Sequence, residues 1–152
     1  LMPNHFHLLV RQQCDNCAGR LVQCTCNGYV QSFNRRYGHS GTLFQGRYQS
    51  ILVDTDEYLR HLCRYIHANP VKDGFALTAE LWPHSNYADW VSERRAVSFD
   101  KAAVERQAVE QAFMVEFFGS AAHYREFVHA WADLRQMPAP LREYVGELER
   151  AE

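Results

Sequence analysis

Two short patterns in this chain set side chains that could do chemistry at regular spacing. His5 and His7 are two residues apart in the stretch LMPNHFHLLVR, and Tyr65 and Asn69 are four residues apart further along. Side chains at i and i+2 of a strand share a face, as do side chains at i and i+4 of a helix. Packed together, these groups could bind a divalent cation and attack phosphorus. The pattern predicts metal-assisted phosphodiester cleavage with Tyr65 as the nucleophile. The predicted metal ligands are His5, His7 and Asn69.

Each pattern also has an ordinary structural explanation, which the pattern alone leaves open. His5 and His7 could be two partly exposed histidines that bind nothing. Tyr65 could lie at the edge of an amphipathic helix, and Asn69 could be the residue at which that helix ends before Pro70. The two patterns favour cleavage chemistry only when they are taken together.

The spacing of apolar residues predicts two strands and several helices that would position these groups. The strands are residues 1–11 and 42–53, and the helices are residues 15–37, 55–69, 101–118 and 121–135, before a short charged terminal helix. Asp15 or Asn16 is expected to cap the first helix, and Asp54 with Glu57 the second. Pro70 is expected to end the second helix at Asn69.

Length and hydropathy exclude several classes of protein. The 152 residues suffice for one domain, or for one domain with an appendage. The apolar stretches are short, so the sequence predicts no membrane span. No basic leader followed by an apolar run opens the chain, which predicts a cytoplasmic protein without a secretory signal.

The cysteines are five in number: Cys14, Cys17, Cys24, Cys26 and Cys63. An odd count without a secretory signal predicts reduced thiols. The spacing of the first four also permits a zinc site. However, the predicted helix turns Cys26 away from Cys17 and Cys24, which favours a helix that happens to be rich in cysteine.

The net charge of −2 conceals an asymmetry along the chain. Residues 1–74 carry eight Lys and Arg against five Asp and Glu, a net charge of +3, while residues 75–152 carry eight against thirteen, a net charge of −5. The positive half is the better candidate for binding a polyanion. On charge alone, a solvated surface with uneven charge is the simpler explanation.

The motifs taken in order resemble a known family. MPNHFHLLV (Met2–Val10) is similar to the HUH motif, in which two histidines flank a bulky apolar residue. The run Phe33–Val71 resembles the REP-associated tyrosine transposases, a branch of the single-tyrosine HUH transposases (IS200-like). The Tyr-x-x-x-Asn helix of that family, which ends in Asn-Pro, corresponds here to Tyr65–Pro70. The resemblance covers residues 1 to about 90 and, more faintly, Val109–Ala130.

The resemblance implies an α+β fold with a ferredoxin-like antiparallel sheet and helices on one face. Residues 1–90 would form the catalytic domain and residues 91–152 a helical appendage. The implied activity is nicking and strand transfer of single-stranded DNA hairpins through a 5′-phosphotyrosine, with Mg²⁺ or Mn²⁺ as the cofactor. The protein would be a monomer or a homodimer. In this context the expected DNA contacts are Arg35, Arg36, Arg47, Tyr48 and Lys72.

The chain departs from the family pattern in three places. The strand–helix unit that usually precedes the HUH strand is not seen, so that strand is expected at or near a sheet edge. Phe44 stands where tryptophan is frequent, and Lys72-Asp73 where Arg-Ala is frequent. Two other functions therefore stay open: a decayed or domesticated HUH protein that binds hairpins without cutting, and a two-histidine hydrolase of small substrates. The second leaves Tyr65 without a role.

Overall fold

The structure is a computed structural model, which describes residues 1–92, 101–130, 139, 142–143 and 145–146. Its elements are helices α1 (Cys17–Tyr37), α2 (Asp56–Lys72), α3 (Tyr87–Val91), α4 (Lys101–Phe118) and α5 (Ala121–His129), with a 3₁₀ turn at Ala79–Leu81. The chain divides into two compact units, one of residues 8–52 and one of residues 1–7 with 53–152. The boundary expected after residue 90 stays a prediction.

The predicted ferredoxin-like antiparallel sheet is wrong. No residue in the described ranges lies in a β-strand, neither in 1–11 nor in 42–53. An alternating apolar pattern produces a strand only where a second strand supplies partners for the backbone N–H and C=O groups. In place of a strand, the start of the chain forms a turn, in which the Met2 amide donates to the His5 carbonyl across Pro3 and Asn4 (2.8 Å). The predicted position of the histidine-bearing strand at or near a sheet edge is wrong for the same reason, since residues 1–11 form no strand.

Helix α1 is the main element of residues 8–52 and confirms the helix predicted there. It ends at Gly38, whose φ of 62° is a left-handed conformation that glycine adopts without strain. Asn16 is the N-cap residue, but its side chain makes no capping hydrogen bond. No residue of this unit is buried. The unit therefore has no apolar core of its own.

The cysteines of the same unit differ from the prediction in part. Cys14 and Cys17 form a disulfide, whereas Cys24, Cys26 and Cys63 are free thiols. Reduced thiols are thus found for three of the five. Within the described residues, no group of three or more His, Cys, Asp or Glu side chains could hold a metal ion, which gives the zinc alternative no support.

Helix α2 occurs where the sequence predicts it but differs at both ends. Its cap is Thr55 rather than Asp54, because the Thr55 hydroxyl accepts a hydrogen bond from the Tyr58 amide (3.2 Å). Pro70 lies inside the helix, which continues to Lys72. A proline so close to the C-terminus removes one donor but does not prevent the Asp73 amide from donating to the Asn69 carbonyl (2.9 Å).

The core of the second unit is built where α2, α3, α4 and α5 pack together. Its buried members are Cys63, Ala68, Ala79, Tyr87, Trp90, Val91, Met114, Phe118, Tyr124 and Val128. The predicted helix 101–118 and the turn at Gly119 (φ 79°) are confirmed. Of the predicted helix 121–135, residues 121–129 are helical and residues 131–135 lie outside the described residues, as does most of the terminal helix.

A histidine lies in the middle of this core. The His67 side chain is 3 % exposed, and its ring is hydrogen-bonded to the Tyr124 hydroxyl (2.5 Å) and to Asn86 Oδ1 (3.0 Å). Burial lowers the pKa of His67 to about 4. The neutral imidazole is therefore the form that the fold accepts at pH 7.

We expect this histidine to make the protein less stable as the pH falls from about 6.5 to about 4. The pKa of His67 is lower in the folded chain than the ordinary 6.5, so the unfolded chain binds the proton first in that window. The loss should approach about 3 kcal/mol, from about 1.4 kcal/mol for each unit of pKa. Urea unfolding across this range in metal-free buffer measures it. His67→Gln should make the dependence shallower by about this amount and leave the part that comes from His7, whose pKa burial also lowers to about 4. An equally steep dependence in that variant would contradict the assignment.

Candidate metal and nucleophile site

The first seven residues are attached to the unit that contains α2. The Leu1 nitrogen donates to the His84 carbonyl (2.8 Å), and the Trp82 indole N–H donates to the Leu1 carbonyl (2.9 Å). Together with the turn between Met2 and His5, these hydrogen bonds fix the path of the segment. The segment therefore carries His5 and His7 as part of the same compact unit as the α2 helix.

His5 meets the α2 helix through Asn69. The two side chains approach within 3.3 Å, between His5 Nε2 and Asn69 Nδ2. On the other side of the ring, His5 Nδ1 donates to Asn4 Oδ1 (2.8 Å). This second contact favours the tautomer with its proton on Nδ1, which leaves the Nε2 lone pair facing Asn69. Asn4 therefore orients a candidate ligand, a role that sequence reasoning missed although Asn4 lies inside the motif.

His7 meets the α2 helix through Tyr65. Its ring lies edge-on to Tyr65, with 5.5 Å between ring centroids, and 4.9 Å from the His5 ring. Burial, with a smaller effect of His5, lowers the pKa of His7 to about 4, so the imidazole is neutral at pH 7. His7 Nε2 is buried and has no hydrogen-bond partner among the described residues. An unpaired buried nitrogen costs stability and marks a position where a ligand would be accepted.

Tyr65 and Asn69 are one helical turn apart, as predicted, and both are buried. Tyr65 is 3 % exposed and Asn69 2 %. The Lys72 ammonium nitrogen lies 5.8 Å from the centre of the Tyr65 ring, which puts a positive charge beside the phenol. With so little exposure, the hydroxyl of Tyr65 becomes accessible to a phosphodiester only if groups that cover it move.

The chemistry of these side chains fits a divalent cation. His7 offers a neutral imidazole with an unpaired nitrogen, and His5 a lone pair on Nε2. Asn69 could turn its amide so that Oδ1 rather than Nδ2 faces His5, because the two ends of an amide are alike in shape. Two imidazoles and an amide oxygen form a small donor set, in which the imidazoles suit softer transition metals better than Mg²⁺ and the amide oxygen suits Mg²⁺ or Mn²⁺.

The remaining residues predicted to contact DNA belong to the unit of residues 8–52. Arg35 and Arg36 lie exposed in the last turn of α1, where positive charge also favours the helix dipole. Arg47 and Tyr48 lie in the irregular segment that follows, and both are exposed. The Tyr48 hydroxyl lies close to Gly19, since a β-carbon there would meet it at 2.9 Å. Five arginines against one aspartate give the unit a net charge of +4.

The chain is similar to a curated protein whose name is that of the family the motifs resemble. The chain is 31 % identical over 98 residues to a Haemophilus influenzae protein that bears the name of a REP-associated tyrosine transposase. The alignment covers 57 % of this chain and 55 % of that protein, so the chain spans about half the length of the relative. No protein-family model matches the chain, and no solved structure does so significantly. The similarity supports the family that the motifs suggest.

None of the helices in the described residues is both long and apolar enough to cross a lipid bilayer.

Proposed function

We propose that this chain nicks and rejoins single-stranded DNA at hairpins, with a divalent metal and a covalent 5′-phosphotyrosine on Tyr65. One observation carries the proposal: side chains about 60 residues apart in sequence meet within one compact unit. His5 approaches Asn69 within 3.3 Å, and the His7 ring lies 5.5 Å from the Tyr65 ring. The similarity to a protein named as a REP-associated tyrosine transposase points the same way.

The proposed reaction is a transesterification at phosphorus. The Tyr65 hydroxyl loses its proton as its oxygen forms a bond to the scissile phosphorus. The bond from phosphorus to the 3′ oxygen breaks, and the 3′ oxygen takes up one proton, so that no net proton is released. Because the phosphotyrosine keeps the energy of the ester, a second 3′ hydroxyl can reverse the step without ATP. Lys72, on the same helix, would offset charge on the phosphate.

His5, His7 and Asn69 would hold the cation, Mg²⁺ or Mn²⁺. When bound, it would neutralise charge that develops on a phosphate oxygen. The neutral state of His7 at pH 7 suits this role, because a protonated imidazole cannot bind a metal.

A second function is favoured by one observation, the 3 % exposure of Tyr65. A protein that binds hairpins without cutting them needs no access to this hydroxyl, whereas a nuclease does. If the chain is a nuclease, DNA or metal must open the cover over Tyr65. The two functions therefore differ in whether a covalent product forms.

The deciding experiment uses a single-stranded hairpin oligonucleotide labelled on the strand that would stay attached to the protein. The chain is incubated with it and Mn²⁺, and a denaturing gel separates free DNA from DNA bound covalently to protein. The proposed nuclease gives a metal-dependent adduct that resists denaturant. Hairpin binding on a native gel without any adduct would establish the binding protein instead.

We expect the affinity for DNA to fall with salt, and Arg35→Ala with Arg36→Ala to reduce that dependence. Each phosphate contact on a single strand contributes about 0.7 to the slope of log affinity against log salt. Loss of two contacts should make the slope less steep by about 1.4. Fluorescence anisotropy at several salt concentrations, without metal, measures it.

The matched control is Arg106→Ala with Arg142→Ala, which removes the same charge from exposed positions in the acidic part of the chain. This control should lower the affinity only slightly and leave the slope near that of the wild type. An unchanged slope in the α1 variant would place the path of the DNA elsewhere.

A further inference from the structure

We infer that the segment Trp82–Asn86 is a positioning brace, which holds the two halves of the candidate centre in register. The inference takes from the proposed function only the assignment of those halves, the histidine segment 1–7 and the face of α2 with Tyr65 and Asn69. One end of the brace is hydrogen-bonded to the histidine segment and the other end to α2.

The first end of the brace holds the histidine segment. The Trp82 indole N–H donates to the Leu1 carbonyl (2.9 Å), and the Leu1 nitrogen donates to the His84 carbonyl (2.8 Å). The Trp82 ring also packs against the rings of Phe75 and His84, with centroids 6.0 and 5.2 Å away. These contacts hold the backbone four residues before His5, and the turn from Met2 to His5 transmits that position.

The second end holds α2 through a series of hydrogen bonds that runs from the exposed Asn86 to the buried His67 and Tyr124. Asn86 Oδ1 lies 3.0 Å from His67 Nε2, and Asn86 Nδ2 donates to Glu110 Oε2 (3.1 Å). Trp90 donates its indole N–H to the same carboxylate oxygen (3.1 Å). On the other side of the ring, His67 Nδ1 meets the Tyr124 hydroxyl. The chain thus connects α2 with α3, α4 and α5.

The donor and acceptor of each hydrogen bond in this series follow from the Glu110 carboxylate at one end of it. A carboxylate only accepts, so the Asn86 amide must present its NH₂ to Glu110 and its oxygen to His67. His67 Nε2 must then carry the proton, and Nδ1 must accept from the Tyr124 hydroxyl. Hydrogen bonds with one consistent direction, anchored at the buried His67 and Tyr124, favour one arrangement of the helices.

Because His67 lies on α2 between Tyr65 and Asn69, these hydrogen bonds also constrain the orientation of the candidate site. His67 is two residues after Tyr65 and two before Asn69, so it projects from the opposite side of the helix. Fixing its ring against α3 and α5 therefore fixes the rotation of α2, and with it the direction in which Tyr65 and Asn69 point. Productive geometry tolerates only about 10–20° of such rotation.

The test compares Tyr124→Phe with Tyr87→Phe. Both substitutions remove one hydroxyl from the same buried core. Only the Tyr124 hydroxyl is hydrogen-bonded to His67, since the Tyr87 hydroxyl is directed to Glu80 (3.5 Å). The first readout is the set of His5 and His7 imidazole and Asn69 amide resonances in a ¹H–¹⁵N spectrum without metal. The second is the rate constant of adduct formation at saturating hairpin DNA and Mn²⁺.

We expect Tyr124→Phe to shift the Asn69 and His7 resonances and to slow adduct formation about tenfold or more, because a misplacement of about 1 Å costs on the order of a hundredfold. Tyr87→Phe should do neither, even if it lowers the melting temperature as much. Trp82→Phe, which removes the indole donor at the first end, should shift His5 and His7 but not His67. In the wild type, His67 should be protonated on Nε2.

Three results would overturn the brace: a His67 protonated on Nδ1, resonances of the centre that do not move in Tyr124→Phe, or resonances that move as much in Tyr87→Phe. If the wild type forms no adduct, the proposed function fails, but the spectra still decide whether the brace exists. If the wild type forms an adduct and the spectra do not respond, only the brace fails.

Discussion

Tyr65→Phe is expected to abolish the covalent adduct with hairpin DNA while leaving the affinity for that DNA nearly unchanged. The exchange removes only the attacking oxygen, and loss of a nucleophile lowers the rate by roughly a thousandfold or more. The ring stays to fill the buried position beside His7, so the fold should be kept. Denaturing gels give the adduct, and anisotropy without metal gives the affinity.

The matched control is Tyr58→Phe, which removes a hydroxyl from a buried tyrosine on the same helix. It should form the adduct at a rate close to that of the wild type. An adduct that survives Tyr65→Phe would move the role of nucleophile to Tyr58 or Tyr48. Absence of an adduct in all variants, with hairpin affinity intact, would establish the binding protein.

The helices could be predicted from the sequence because their signals are local. Apolar spacing located α1, α2 and α4, and Gly38 and Gly119 were correct stops because a left-handed backbone there needs glycine. The capping errors were also local in origin. Asp54 and Thr55 are both good caps, and composition alone does not decide between neighbours.

The sheet could not be predicted in this way, because strand formation depends on a partner that is distant in sequence. The stretches 1–11 and 42–53 have suitable residues, and yet neither is paired in the structure. Pro3 and Asn4 instead favour a turn. The strand prediction used only the apolar spacing of the segment and gave no weight to these two turn-forming residues. Alternation of apolar and polar residues predicts which face each side chain would take in a strand, but not whether a partner strand is present.

The spatial proximity of the candidate site residues could be predicted only in part. Four-residue spacing correctly places Tyr65 and Asn69 one turn apart, because that relation is internal to a helix. The approach of His5 and His7 to this face does not rest on strand geometry, since the segment is a turn held by Trp82 and His84. The expectation of convergence came from the resemblance, and contacts across about 80 residues have no local signal.

The second large effect concerns the unpaired nitrogen of His7, and separates metal binding from folding. His7→Phe keeps a ring against Tyr65 but removes a buried nitrogen that has no partner in the described part of the chain. Leaving such a group unpaired costs about 1–3 kcal/mol, so the variant should be at least as stable as the wild type without metal. It should also lose adduct formation, because one of three proposed ligands is gone.

Thermal unfolding with and without Mn²⁺ measures both halves of this expectation. A ligand that binds only the folded chain stabilises it, by about 2.7 kcal/mol at a concentration of 100 times its dissociation constant. The wild type should therefore melt higher with Mn²⁺ after treatment with EDTA, and His7→Phe should not. His123→Phe, at an exposed histidine on α5, should respond to Mn²⁺ like the wild type. An equal response in His7→Phe would mean that the ion binds elsewhere, and a His7→Phe that is much less stable without metal would mean that the imidazole itself supports the fold.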